Sequence, residues 1–337
     1  MWITFSWKCG IIRLMIIVRT PLRISLGGGG TDLPSYYSKF GSYFISAAIN
    51  KYIYITLHRS GFSDKIRCRY SRMEKVDNVD RIKNEIIRET FKYCGIKNNI
   101  ELTSHAEIPS GTGLGSSGSF GVGLLHAIYT QSGEDKNWRE LADIATNIQM
   151  NILNHPIGLQ DQYVASFGGI GEYEIKKTGE VLFSGLRMLP QIKDRLVMFF
   201  TGFKREAKDI LKVQRSKTKA DDQEMLNGLH KIQALAYDVK RALYKDDWQW
   251  FGEIMNEQWR LKKGRSDKMT NIQIDEWHNL ALKNGAVGGK LIGAGGGGFL
   301  LFIADDKEKL IGTMVGAGLK HLSFDFDHEG TKLILND

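Results

Sequence analysis

The amino-acid sequence predicts an α+β fold in two domains, and three observations support this. The chain has 337 residues, which exceeds one typical hydrophobic core. Segments of alternating apolar and polar residues, typical of strands, are interspersed with segments of helical periodicity. Two glycine-rich stretches, residues 111–118 and 293–298, each lie beside such a segment. Because glycine lets a backbone approach a ligand closely, we expect ligand-binding loops there.

The first strand is predicted at residues 15–26. It is interrupted at Pro21, which cannot donate a hydrogen bond to a neighbouring strand. After Pro21 the apolar residues alternate with Arg23 and Ser25, so the apolar and polar sets should face opposite sides of the sheet. This pattern predicts that Leu22, Ile24 and Leu26 share one face of the strand.

The remaining elements follow from periodicity, in chain order. Residues 42–58 are predicted to form two strands, one on each side of Asn50 and Lys51. Further strands are predicted at residues 65–70, 100–108, 196–200, 290–292, 299–303 and 321–326. Helices are predicted at residues 78–94, 120–129, 138–153, 223–244, 248–259 and 307–319. In the helix at 138–153, Ile152 and the polar Gln149 are predicted to point inward. A buried Gln149 needs a hydrogen-bonding partner.

Composition narrows the function classes. A hydrophobic share of 42% with 25% charged residues is that of an ordinary globular protein, and no apolar run is long enough to span a bilayer. The net charge of +8 favours anionic ligands, but no basic run with interleaved aromatics indicates nucleic acid. The three cysteines lack metal-ligand spacing, which favours reduced thiols and a cytoplasmic location.

Residues 109–119 form a Gly/Ser loop that runs into the apolar helix at 120–129. Such a loop at a helix N-terminus is a ready anion site, because unpaired N–H groups and the helix dipole both face it. It is not a Walker A loop, since no Lys follows Gly118. The spacing of Gly113, Gly115 and Gly118 formally matches a dinucleotide fingerprint, but the preceding strand looks antiparallel and half exposed. A flexible linker is the remaining alternative, although an apolar helix rarely follows one.

Read as Pro-x-x-x-Gly-Leu-x-Ser-Ser-Gly, residues 109–118 resemble the phosphate loop of the GHMP kinases, a family of small-molecule kinases. Residues 15–32 resemble the family's first signature, and residues 285–302 resemble its third. The resemblance implies a two-domain kinase with a ribosomal protein S5 domain 2-like N-terminal half and a ferredoxin-like C-terminal half. We expect an extension at 1–14, an ATP-binding domain at 15–190 and a C-terminal GHMP domain at 191–337.

The resemblance also implies roles for individual residues. Asp161, in Gly-x-x-Asp-Gln, matches the catalytic carboxylate, and Arg23 matches the residue paired with it. Without the family, Asp161 and Asp32 would be read as turn or helix-capping residues and Arg23 as a solvated strand residue. The implied nucleotide contacts are Pro109, Gly111, Gly113, Leu114, Gly115, Ser116, Ser117, Gly118 and Ser119. The implied acceptor contacts are Gly29, Gly30, Thr31, Asp32, Lys204, Arg205, Gly295 and Gly296.

A magnesium site is implied at Ser117 and Gln149. The family has a Glu at the position where this chain has Gln149, and an amide oxygen is a weaker ligand for Mg²⁺ than a carboxylate. Gln149 therefore has two interpretations, a metal ligand or a hydrogen-bonded core residue.

Within the family, residues 27–32, 160–163 and 201–205 most resemble bacterial kinases that phosphorylate the anomeric hydroxyl of a heptose 7-phosphate. The alternatives are another anomeric sugar kinase, such as an L-fucokinase or a galactokinase-like enzyme, and an inactive sugar-sensing relative. The implied ligands are ATP, Mg²⁺ and a sugar phosphate. We expect no nucleic-acid or membrane partner, and a monomer or homodimer.

Overall fold

The computed structural model describes residues 15–59, 63–205 and 207–337. The predicted extension at 1–14 lies outside the described residues. The chain forms two β-sheets flanked by helices, which confirms the predicted α+β class. None of the helices in the described ranges is long and apolar enough to cross a bilayer.

The larger sheet has eight strands. Six of them lie in the order β12-β1-β2-β5-β3-β4, and β6 pairs with β2 and β7. The strands of this sheet are β1 (Met15–Gly27), β2 (Ser42–His58), β3 (Ile66–Arg69), β4 (Met73–Val76), β5 (Ile100–Ala106), β6 (Ile170–Ile175), β7 (Val181–Gly185) and β12 (Lys332–Asn336). The smaller sheet is antiparallel, in the order β11-β8-β10-β9, and is built from β8 (Leu196–Phe200), β9 (Ala286–Leu291), β10 (Phe299–Ala304) and β11 (Lys320–Leu322).

Helices cover both sheets, and the longest, α8, packs on β1 and β2. The helices are α1 (Pro34–Phe40), α2 (Glu85–Tyr93), α3 (Ser116–Gln131), α4 (Trp138–Thr146), α5 (Gln160–Phe167), α6 (Pro190–Lys193), α7 (Ala207–Lys219), α8 (Gln223–Lys245), α9 (Trp248–Lys263), α10 (Ile272–Lys283) and α11 (Lys307–Gly316). A 3₁₀ turn (Val79–Arg81) and a π-helical turn (Asn147–Ile152) complete the set.

The strand predicted to be interrupted at Pro21 is continuous in the structure, and the effect of Pro21 is a register shift. Pro21 pairs with Tyr52, but the next residue, Leu22, pairs with Ile49, so Asn50 and Lys51 bulge out of the strand. The predicted pair of strands at 42–58 is therefore one bulged strand, because the missing N–H of Pro21 is accommodated without ending the ladder.

Two helix predictions were wrong in detail. The helix predicted at 78–94 is broken before Glu85, because the side chain of Asn84 accepts a hydrogen bond from the N–H of Ile87 and begins a new helix there. Ile152, predicted to be inward, is 47% exposed. The π-helical turn changes the angular step between residues and so rotates Ile152 away from the core.

The C-terminal end was also predicted incompletely. The strand predicted at 321–326 is the short β11, and the chain then returns to the larger sheet, where β12 pairs with β1. The last strand of the chain thus lies in the sheet built mainly by residues before 190. The boundary at 190/191 stays a prediction.

The packing of α9 on β9 provides a stability test. A Cβ on Gly288 would lie 1.8 Å from the carbonyl oxygen of Gly252, and both atoms belong to packed backbone. We expect Gly288→Ala to lower the free energy of unfolding by about 3 kcal/mol. As a matched control, Gly228 in α8 has open space around it, so Gly228→Ala should raise stability by about 0.5–1 kcal/mol through helix propensity. Chemical denaturation of both variants tests this packing, and an unchanged Gly288→Ala midpoint would contradict it.

Candidate active site

The two sheets meet around a cavity of about 550 Å³. Its walls come from the end of β1, the loop before α3, the N-terminus of α5, the end of α9 and the loop between β9 and β10. The predicted site residues that line it are Arg23, Gly29, Gly30, Asp32, Gly111, Gly113, Gly115, Ser116, Ser117, Asp161, Lys204, Arg205 and Gly295. The fold therefore brings together residues from all three resembled signatures.

The phosphate loop has the geometry of an anion site. Gly115 is the N-cap of α3 and has φ of 80°, in the left-handed region that favours glycine. Ser116 and Ser117 begin the helix and line the cavity. N–H groups in the first turn of a helix have no intrahelical acceptor, and the helix dipole adds positive potential. This end of α3 is thus suited to bind phosphate oxygens.

Four of the predicted nucleotide contacts do not line the cavity: Pro109, Leu114, Gly118 and Ser119. The hydroxyl of Ser119 donates to the carbonyl oxygen of Pro21 at 2.7 Å, so it ties α3 to β1 and is not free for phosphate. Leu114 is fully buried. Gly118 lies so close to α5 that an added Cβ would be 2.5 Å from the Cβ of Asp161. These residues build the loop and its support.

Arg23 joins three parts of the site. Its Nε and Nη2 donate to Oδ1 of Asp161 at 2.7 and 2.6 Å, and its Nη1 donates to the carbonyl oxygen of Gly113 at 2.6 Å. Arg23 is only 6% exposed, whereas the side chain of Asp161 is 30% exposed towards the cavity. Asp161 makes no side-chain cap at the start of α5, which removes the capping interpretation. The predicted pairing of Arg23 with Asp161 is present in the structure.

Asp32 is buried between the glycine turn and α5. Its Oδ1 accepts from the N–H of Gly30 at 3.1 Å, and its Oδ2 accepts from the N–H of Gln160 at 3.2 Å. Burial raises the pKa of Asp32, the Gln160 N–H lowers it, and the charge of Asp161 raises it. Asp32 therefore lies next to Asp161 and faces the same cavity.

The other predicted acceptor contacts differ in whether they line the cavity. The hydroxyl of Thr31 donates to the carbonyl oxygen of Gly28 at 2.8 Å and is fully buried, so Thr31 stabilises the turn. Gly296 does not line the cavity, and its N–H donates to the carbonyl oxygen of Met269. Lys204 and Arg205 are exposed at the cavity mouth, where the N–H of Arg205 donates to the carbonyl oxygen of Gly111.

Sequence reasoning missed three cations on the cavity wall. Lys262, Arg265 and Lys290, here called the buried cation cluster, come from α9, the residues just after it and β9. Arg265 and Lys290 are each 6% exposed, and Lys262 is partly buried. The available signal was Lys290 itself, a charged residue inside an otherwise apolar predicted strand.

The buried cation cluster is held by neutral acceptors. Lys262 Nζ donates to the carbonyl oxygens of Leu291 and Gly293 at 2.8 and 2.5 Å. Lys290 Nζ donates to the carbonyl oxygen of Leu26 and to Oε1 of Gln258, both at 2.7 Å. Burial lowers the pKa of Lys290 to about 7, with Arg265 adding to the shift. Burial also lowers the pKa of Arg265 to about 10 and that of Lys262 well below its ordinary value.

Gln149 does not have the position of a metal ligand. It is fully buried, does not line the cavity, and its Nε2 donates to the carbonyl oxygen of Ser117 at 3.3 Å. Its Oε1 is buried without a hydrogen-bonding partner among the described residues. No group of three His, Cys, Asp or Glu side chains within those residues is arranged to hold a metal. The residues present therefore do not form a protein-held magnesium site, and Ser117 is the only predicted ligand on the cavity wall.

The position of Gln149 gives a direct test. Gln149→Glu would place a carboxylate against the Ser117 carbonyl oxygen, so we expect it to lower the free energy of unfolding by about 1–3 kcal/mol. Unfolding should be measured with and without Mg²⁺, with Gln149→Met as the uncharged control. If Mg²⁺ restores the lost stability of Gln149→Glu but has no effect on Gln149→Met, the side chain at position 149 is placed to bind the metal.

Comparison with known proteins places this site in a family. Residues 80–169 match the GHMP kinases N terminal domain, and residues 239–312 match the GHMP kinases C terminal domain. A D-glycero-alpha-D-manno-heptose 7-phosphate kinase from Campylobacter jejuni is 33% identical, over 87% of this chain and 91% of the relative. A galactokinase from Pyrococcus furiosus is 26% identical, over 89% of this chain and 92% of the relative.

A solved structure shares the fold. The crystal structure of a D-glycero-D-manno-heptose 1-phosphate kinase from Bacteroides thetaiotaomicron superposes with a TM-score of 0.77 at 24% identity, covering 95% of this chain and 99% of that one. Both family domains match, the identity extends over most of both chains, and the fold is shared. The chain is therefore a phosphotransferase of the GHMP kinase family.

Proposed function

We propose that the protein transfers the γ-phosphoryl group of ATP to the anomeric hydroxyl of D-glycero-D-manno-heptose 7-phosphate. The observation that carries this proposal is the 33% identity to a heptose 7-phosphate kinase across nearly the full length of both chains. The cavity supports it, because its wall combines a phosphate loop, the carboxylates of Asp32, Glu85 and Asp161, and several cations. ATP would enter as its magnesium complex, so the ion is part of the substrate.

In this proposal Arg23 and Asp161 form the reacting end of the site. Both bonds from Arg23 converge on Oδ1 of Asp161, which leaves Oδ2 for the acceptor hydroxyl. Phosphoryl transfer depends mainly on positioning and charge stabilisation, with little covalent work for the protein. Asp161 would orient the hydroxyl and accept its proton, and Arg23 would stabilise the negative charge that develops beside it.

The neighbouring residues supply the two binding partners. The N–H groups at the start of α3 and the hydroxyl of Ser117 would hold the nucleotide phosphates. Asp32 would accept hydrogen bonds from sugar hydroxyls next to Asp161. Lys204 and Arg205 remain predicted ligand contacts at the cavity mouth. A cytoplasmic location suits a user of ATP with two buried free thiols, Cys68 and Cys94, and a monomer or homodimer remains the predicted state.

The role of Asp161 predicts a kinetic effect. Asp161→Asn keeps the size of the side chain but removes its charge and basicity, so kcat should fall by about 10²–10⁴-fold with the fold intact. The thermal midpoint and steady-state kinetics should be measured together, with Asp275→Asn as a surface carboxylate control. A folded Asp161→Asn enzyme with near-normal kcat would remove Asp161 from the mechanism.

The substrate is tested by ADP release across a panel of acceptors. The panel contains heptose 7-phosphate, the unphosphorylated heptose, L-fucose and galactose. We expect the highest kcat/KM for the phosphorylated heptose. Preference for L-fucose or galactose would support another anomeric sugar kinase, and no turnover of any acceptor would support a sugar-sensing relative.

A further inference from the structure

Three cations on the cavity wall have no role in the phosphoryl transfer described above. In the part of the chain that the structure describes, none of Lys262, Arg265 and Lys290 lies within 4.0 Å of a carboxylate. Two other cations at the cavity differ in this respect, since Arg23 pairs with Asp161 and Lys208 pairs with Glu85. Buried charge without a counter-ion is costly, so a site that retains it is expected to receive the opposite charge from a ligand.

Arg265 still has hydrogen-bonding capacity. Its Nη2 donates to the carbonyl oxygen of Gly29 at 2.9 Å and its Nη1 to Oε1 of Gln214 at 3.3 Å, but its buried Nε has no partner among the described residues. In its protonated form, each lysine of the cluster uses two of its three protons in the bonds given above. The cluster therefore offers at least one unused donor from each residue.

The contacts also place the cluster relative to the reacting end. Gln160 directly precedes Asp161 in α5, and its N–H donates to Oδ2 of Asp32. Oδ1 of Asp32 accepts from the N–H of Gly30. Arg265 binds the adjacent carbonyl oxygen of Gly29. The charge of Asp32 raises the pKa of Arg265, and the charge of Asp161 raises the pKa of Asp32. Asp32 thus neighbours both Asp161 and Arg265, and Lys262 is close enough to Arg23 for the charge of Arg23 to lower its pKa.

We propose that the buried cation cluster binds the phosphate group at the far end of the acceptor. This inference rests on the proposed function, and it replaces Lys204 and Arg205 as the acceptor's phosphate ligands. With its reacting hydroxyl at Asp161 and its other hydroxyls at Asp32, an acceptor that carries a terminal phosphate brings two negative charges to Lys262, Arg265 and Lys290. Arginine and lysine bind phosphate through charge-assisted hydrogen bonds, which are stronger than neutral ones. Lys204 and Arg205 are then left for the nucleotide, beside Gly111.

The main test compares two acceptors that differ only in the phosphate. Lys290→Met and Arg265→Gln should each raise KM for heptose 7-phosphate by about 10- to 100-fold. The KM values for the unphosphorylated heptose and for ATP should change by less than about threefold. Lys263→Met is the matched control, because Lys263 neighbours Lys262 but pairs with Asp275 and does not line the cavity.

Several outcomes overturn the inference. Equal losses on both sugars in folded variants would make the cluster a structural tie between α9, β9 and β1. A rise in KM for ATP alone would assign it to the nucleotide. A large effect of Arg205→Ala on the phosphorylated sugar, without one from the cluster variants, would return the phosphate to the cavity mouth. A wild-type enzyme that prefers unphosphorylated sugars would instead reject the proposed function itself.

The pH dependence gives a second readout. The charged groups that act on Lys290 are Arg265 and Lys262, and these two are in turn affected by Asp32 and Arg23, respectively. Because burial lowers the pKa of Lys290 to about 7, this group loses its proton above that pH in the empty enzyme. A bound phosphate favours the protonated form, so binding takes up a proton and weakens as pH rises.

Between about pH 7 and about pH 9 the sugar phosphate stays dianionic, so the change reports on the enzyme. Titration calorimetry without nucleotide should show weaker binding of heptose 7-phosphate at the higher pH, and Lys290→Met should flatten the profile. The unphosphorylated heptose should show little change. Parallel profiles for both sugars would contradict the inference.

Discussion

The ion pair between Arg23 and Asp161 is the contact on which the site depends. It joins β1 to α5, and the same guanidinium binds the carbonyl oxygen of Gly113 in the phosphate loop. One buried side chain therefore fixes the reactive carboxylate relative to the loop that would hold the transferred phosphate. Because breaking a buried pair leaves an uncompensated charge, the geometry of all three elements is coupled.

The close approach of α3 and α5 makes this contact possible. Gly118 has no side chain to separate the two helices, and the hydroxyl of Ser119 ties α3 to Pro21 in the same strand that carries Arg23. Gly118 and Ser119, which were predicted to contact the nucleotide, thus support the phosphate loop. They hold the helix N-terminus in position so that its N–H groups and its first serines face the cavity.

The cations on the cavity wall differ in their partners. The cation Arg23 is neutralised by Asp161, whereas Lys262, Arg265 and Lys290 contact only neutral acceptors. An anionic ligand supplies the missing charge. A site of this kind favours a substrate with a terminal phosphate through binding energy that acts away from the reacting atoms, and so contributes to specificity.

Much of the fold and part of the site could be predicted from the sequence. Periodicity located most strands and helices, and Arg23 and Ser25, predicted to share one face of β1, both line the cavity. Long-range geometry could not be predicted in the same way. The return of β12 to the first sheet and the convergence of Lys262, Arg265 and Lys290 depend on tertiary packing of distant segments. The π-helical turn at Gln149 could likewise not be predicted, because the apolar periodicity of residues 138–153 is that of an ordinary α-helix.

The central claim is that the cavity presents an anomeric hydroxyl to Asp161. It is tested most directly by the position of the new phosphate in the product. The wild-type protein should be incubated with ATP and heptose 7-phosphate, and the product analysed by ³¹P–¹H correlation NMR. The account predicts a second phosphorus signal coupled to the proton on the anomeric carbon. A new phosphate coupled to any other sugar proton, or ATP hydrolysis without a sugar bisphosphate, would contradict it.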